Sequence, residues 1–252
     1  MQPTKLYRFR PARKREIDAI FGKGQLHFSP RSKMRDPFEG RPELLPPKAE
    51  EIEAYLLAQE GPIATGDKKR WSSFRAKVKR RLESSAFLDR VYKEATESKG
   101  ILALTEHLRE PLLWAQRADR HRGFCLEFDC SDPRSMPIGA ASRVLYTDER
   151  PLIAPLQLTG QPPDEFLRLS FRYKPKHWAF EGEWRLFSSE GGGMRTFQRR
   201  LLSAVYLGGA STPQTRKAIM RKLATWSEAD RPKVFAMRLR NQGFELEPVA
   251  LQ

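Results

Sequence analysis

Ten residues from Trp178 to Phe187, Trp-Ala-Phe-Glu-Gly-Glu-Trp-Arg-Leu-Phe, constrain this chain more than any other stretch. Read as a strand, their period of two sends Glu181, Glu183 and Arg185 to one face and Phe180, Gly182, Trp184 and Leu186 to the other. A strand with one such apolar face must lie in a sheet that covers a core. A carboxylate buried beside aromatics without a partner costs several kcal/mol, so the charged face needs Arg185, a bound group or water.

The rest of the chain reads as strands interrupted irregularly by helices. Leu6–Arg10, Leu26–Ser29, Ile101–Thr105, Gly123–Asp129, Val144–Tyr146 and Leu202–Leu207 are short extended segments. Val234–Leu239 and Phe244–Val249 form an expected hairpin around Asn241, Gln242 and Gly243. Pro11 opens a helix, Pro111–Arg120 and 164–173 are further helices, and Thr212 caps one that starts at Pro213. Residues 147–165 read as a Pro- and Gly-punctuated loop. Residues 47–60 and 67–98 carry helical periodicity, the latter through Trp71, Phe74, Val78, Leu82, Leu88 and Tyr92, and the segment 47–98 reads as a helical arm inserted in one domain spanning 1–252. This order predicts an α+β fold with a mixed or antiparallel central sheet rather than repeated βαβ winding.

The chain carries a formal charge of +15. Such an excess attracts polyanions, and RNA or DNA is the expected partner class. Cys125 and Cys130 are too few for a disulfide scaffold, which fits a reducing cytoplasm. The first residues lack the apolar core of a signal peptide, and no apolar run is long enough to span a bilayer, so no membrane association is expected. No glycine-rich phosphate loop follows the first strand, and neither a serine elbow nor a metal-type His/Cys cluster appears, so no metal site is expected.

Four motif segments resemble those of the bacterial domain of unknown function DUF2971. They are Leu6-Tyr7-Arg8-Phe9, Asp36-Pro37-Phe38-Glu39, a run from Ala103-Leu104-Thr105-Glu106 through Trp114-Ala115-Gln116-Arg117-Ala118 to His121–Asp129, and Trp178–Arg185. Arg35 and Arg117 depart from that pattern, which has asparagine before the Asp-Pro pair and tyrosine in the helix. The order of these motifs is similar to that of ADP-ribosyltransferase-like folds, which implies NAD as co-substrate and a sheet of that type. On this resemblance Glu183 is the catalytic carboxylate facing an oxocarbenium-like transition state, and Glu181 activates or orients the acceptor. Arg8 is a ribose or phosphate anchor, and Tyr7, Ser29, Trp114 and His121 complete the expected NAD cleft. The acceptor is expected to be nucleic acid, given the charge, and toxin or phage-defence biology would suit such chemistry.

Other readings stay open at the level of sequence. Glu181, Glu183 and Arg185 also fit cross-strand ion pairs on the solvent face of an ordinary sheet. Tyr7 and Trp114 fit core aromatics, and His121 fits a cation ending a helix. Asp36, Glu39, Glu106, Glu127 and Asp129 with the two glutamates supply enough acid for a metal-dependent nuclease. A non-catalytic module that grips phosphate through its basic helix is the third functional class.

Overall fold

The computed structural model describes residues 3–34, 36–60, 68–131, 141–153 and 170–251, and its architecture is α+β around a mainly antiparallel open sheet. The expected helix over 164–169 and most of the loop over 147–165 lie outside the described residues, as does Arg35. Tyr173, expected at a helix end, begins a strand.

In chain order the elements are β1 (Lys5–Arg10), α1 (Lys14–Ile17, running into a π-turn at Asp18–Gly22), β2 (Gln25–Pro30), β3 (Glu43–Leu44), α2 (Ala49–Glu60), α3 (Lys68–Leu82) and α4 (Ser85–Glu97). Then come β4 (Gly100–Thr105), α5 (Pro111–Arg117), β5 (Phe124–Asp129), β6 (Ser142–Arg143), β7 (Leu145–Thr147), β8 (Leu152–Ile153) and β9 (Tyr173–Pro175). The chain closes with β10 (Glu183–Ser188), β11 (Gly193–Thr196), β12 (Leu202–Leu207), α6 (Pro213–Leu223), β13 (Lys233–Leu239) and β14 (Leu246–Ala250).

The strands order as β11-β2-β4-β1-β5-β12-β13-β14, with β10 and then β6 attached at β4. β12 and β13, joined through α6, run parallel, and β13 and β14 form the expected hairpin. Strand β4 is the hub. β10 pairs with it from Gly100 to Thr105 and fills one edge. The other edge is shared, with Ser29 and Pro30 of β2 against Ile101 and Gly100, and Tyr7 of β1 against Thr105. The sheet therefore forks along β4, and between the two pairings the Arg8 guanidinium donates to the Ala103 carbonyl.

Alternation along the strands builds two cores. On one face Leu6, Leu102, Leu104, Phe124, Leu126 and Phe128 pack with Ile20 and Phe21 of the π-turn and with Ile219 and Leu223 of α6. Each such side chain contributes about 1.5–3 kcal/mol on full burial. On the other face Phe9, Cys125, Tyr206 and Met237 are covered by Leu113 and Trp114 of α5. The helical segment has a third small cluster of Ile52, Leu56 and Leu82. Its second part is two helices, because Ser84 caps α4 by accepting from the Phe87 N–H. It docks where the Tyr92 hydroxyl donates to the Gly40 carbonyl at 3.1 Å.

Candidate functional site

The segment expected to be one strand is divided at Gly182. Lys176–Glu181 is a turn of 3-10 helix, Gly182 is left-handed with φ 47°, and β10 begins at Glu183. A residue in that backbone region with no side chain is unstrained, and a Cβ there would collide with the His107 imidazole. The turn is pinned by Thr105, whose hydroxyl donates to the Glu181 carbonyl at 2.6 Å, and by the Glu106 N–H, which donates to the Gly182 carbonyl at 3.1 Å. The two carboxylates thus reach a common point from a turn and a strand, not from one face of a strand.

That point is a buried ionic cluster. Lys174, on β9, donates to Glu183 Oε2 at 2.8 Å and also to Glu181. Arg185 donates through Nε to Glu183 Oε1 at 2.8 Å and through Nη2 to Oε2 at 3.0 Å, and it also binds Glu39. Arg117, from α5, binds the other oxygen of Glu181. Glu181, Glu183, Lys174 and Arg185 are at most 5% exposed. The solvent-face ion pairs considered from sequence do not describe this arrangement, because the charges lie inside.

Burial opposes the charge on every member, and the cluster answers with partners. Burial raises the Glu181 carboxyl, but Arg117 and Lys174 outweigh it and bring the group below the usual carboxylate range. Burial dominates at Glu183 and pushes it up against the pull of Lys174. Lys174 itself is raised, because Glu183 and Glu181 overcome the cost of burying an ammonium. Two neighbouring carboxyls held apart in proton affinity are the arrangement that acid–base chemistry uses, though structural networks produce it as well.

The other residues singled out in the sequence fall at different distances. Arg8 is within electrostatic reach of both Glu183 and Arg117, and its Nε is buried without a partner. Tyr7 lies in the same cross-strand row as Thr105 and Glu183, but its hydroxyl sits beside Glu127. Trp114 is fully buried, edge-on to Phe9, with its indole donating to the Leu108 carbonyl at 2.7 Å. No ring face is left for a ligand. His121 stacks on Trp114 and is the last of three consecutive left-handed residues, Asp119 to His121, in the turn beyond the Arg10 end of β1. Ser29 pairs with Ile101, four residues along β4 from Thr105, or about 13 Å from the Glu183 row at ~3.3 Å per residue. Arg8 feels the charge of Glu183 but bonds to the Ala103 carbonyl and shares its face with Leu6 and Leu126, whereas Glu183 shares its face with Tyr7 and Thr105; Ser29, Trp114 and His121 also lie away from the glutamates.

Three members of the cluster escaped the sequence reading as site residues, and of these Arg117 entered only as a departure from the family pattern. Glu39 stood in the Asp36–Glu39 motif only as one acid among several, and its partner Arg185 is 146 residues distant. Lys174 was hidden in a basic run, and its sole local signal is the position seven residues before Glu181.

Beside the cluster lies a cavity of about 370 Å³ whose wall includes Lys174, Tyr173, His177, Arg41, Arg150 and Phe38. Its size falls within the range of small-molecule sites, roughly 300–1,000 Å³. Among the described residues no group of three or more His, Cys, Asp and Glu side chains is arranged to hold a metal ion. The carboxylate oxygens of Glu181 and Glu183 are instead taken by Lys and Arg nitrogens. No described helix is long and apolar enough to cross a membrane. Comparison with family models, with curated proteins and with solved structures finds no match to this chain.

Proposed function

We propose that this chain is an NAD-cleaving transferase of the ADP-ribosyltransferase-like type, within the DUF2971 pattern its motifs resemble. The observation that supports this reading is the pair of buried glutamates, Glu181 and Glu183, pushed apart in proton affinity at the β4 hub beside a cavity whose wall carries Arg41, Arg150 and Lys174 along with Asp148 and Glu149. In this reading the carboxylate of Glu183, fixed by Lys174 and Arg185, faces the positive charge that develops as the glycosidic bond to nicotinamide breaks. Glu181 orients the acceptor. Arg41 and Arg150 meet the phosphates of NAD, and Arg8 offers its unpartnered Nε to an oxygen of the co-substrate. A nucleic-acid acceptor follows from the charge of +15.

Incubation with labelled NAD tests the reading, with release of nicotinamide as the readout and RNA, DNA and protein offered as acceptors. Wild type should release nicotinamide and Glu183→Gln should not, when both are assayed at a temperature where circular dichroism shows them folded. Absence of release by folded wild type under conditions where NAD binds overturns it.

One observation favours a second, structural reading. Both oxygens of Glu183 are occupied by protein donors, so the cluster is also a complete clamp joining the Asp36–Glu39 turn, β9 and β10. Under that reading wild type binds no NAD, and substitution at Glu183 changes stability alone.

A further inference from the structure

Across the sheet from the carboxylates, β1, β12 and β13 present a row of rings. Tyr7 meets Tyr206 edge-on with centroids 6.3 Å apart, and Tyr206 stacks on Phe235 at 5.1 Å and 17°. Tyr206 is buried, but Tyr7 and Phe235 are only half-buried, at the rim of the cluster that α5 covers. Phe180, next to Glu181 in the chain, is a third half-buried ring on that rim. An antiparallel sheet that leaves rings open where a helix ends its cover has spent apolar surface without burying it.

The charges around the row are mixed but lean positive, with Lys5, Lys233 and Arg109 against Glu127 and the exposed Asp129. Glu127, beneath the rings, is fully engaged, accepting from Lys5 at 2.8 Å, Ser203 at 2.8 Å and the Tyr206 hydroxyl at 2.6 Å. Its charge is therefore met within the protein. Lys233 is exposed on the face that carries Tyr7 and Phe235, and Arg109 is close enough to influence the Tyr7 hydroxyl. Rings that stack unpaired bases, flanked by cations that meet phosphates, are the requirements for holding a single strand. A duplex, whose bases are already stacked, has no use for the rings.

We infer that this face binds single-stranded nucleic acid, with bases on Tyr7 and Phe235 and the backbone along Lys233 and Arg109. That identifies the acceptor class of the proposed transferase and rests on the transferase reading only for the chemistry; the binding itself needs no NAD. Phe180, which packs against the same cluster, is the chain neighbour of Glu181, the group assigned to the acceptor.

Fluorescence anisotropy tests this with labelled single-stranded RNA, single-stranded DNA and duplex of equal length, all without NAD. Single strands should bind at least tenfold tighter than duplex, and the stronger of the RNA and DNA arms names the sugar. Tyr7→Leu and Phe235→Leu keep an apolar side chain in place and should each weaken binding about tenfold, as loss of one stacked base does. Lys233→Glu, at an exposed position, should weaken it and reduce its salt dependence even if a ring variant folds poorly. Lys77→Ala with Lys79→Ala, on the basic helix α3, should leave it unchanged. Equal binding of duplex, or loss through α3 with the ring and Lys233 variants unaffected, overturns the inference. Nicotinamide release measured without oligonucleotide reports separately on the transferase.

Discussion

At Glu183 a single side chain carries both the proposed chemistry and a share of the stability. Its two cationic partners are fully or almost fully buried, so Glu183→Gln removes a charge that Lys174 and Arg185 cannot replace with water. Lys174 keeps Glu181 and Arg185 keeps Glu39, so the loss should fall short of the about 3–5 kcal/mol of an uncompensated buried charge, while thermal unfolding should still show a clear drop. Glu127 offers a pH readout in the other ionic site. Burial raises it, yet Lys5, Tyr206 and Ser203 bring it below its ordinary value of 4.5. A carboxyl depressed on folding contributes stability above the unfolded value and loses it as pH falls through the folded one. The stability gap between wild type and Glu127→Gln should therefore be full at pH 7 and close below about 4.5; a gap that widened toward acid would contradict the assignment. The sequence displayed Glu181, Glu183 and Arg185 as neighbours two apart, and Arg185 as the neutral explanation of the pair. It offered no means of seeing Lys174 or Glu39 as their partners, because those contacts join separate strands and turns.

At the scale of elements, one glycine decides how the glutamates are presented. Gly182→Ala forces a side chain into a left-handed residue at a cost of about 1–2 kcal/mol, with the collision against His107 added. Urea unfolding should register at least that loss, and NAD cleavage should fall even at temperatures where the variant is folded, because Glu181 and Glu183 no longer converge. The alternation of Trp178–Phe187 concealed this break, since a period of two cannot distinguish a strand from a 3-10 turn followed by a strand. In the helical segment the periodicity over 67–98 was read correctly as helix but not as two helices. Ser84 makes the division by capping α4, and Ser84→Ala should cost about 1 kcal/mol by thermal unfolding, with the loss confined to the arm's own packing. A serine in a helical pattern is ambiguous in sequence, because the same side chain is tolerated on an exposed face and favoured at a cap.

For the whole molecule, the α+β class and the mainly antiparallel sheet could be read from strand segments of alternating character, separated by helices at irregular intervals. So could the closing hairpin and the helix between two parallel neighbours. Those features depend on residues close in the chain, whose propensities and caps act locally. The fork at β4, where β1 and β2 share one edge, depends on contacts between Tyr7 and Thr105 and between Ser29 and Ile101, and no local pattern encodes which strand pairs with which. By itself the sequence determined most of the longer strands and helices, the excess of positive charge and the suspicion attached to Glu181 and Glu183. Only the tertiary structure decided that the glutamates lie inside a closed cationic cluster, that Ser29, Trp114 and His121 lie away from it, and that Tyr7 belongs to a half-open aromatic face. The physical reason is that burial sets the cost of a charge, and burial is a property of all the segments packed around it.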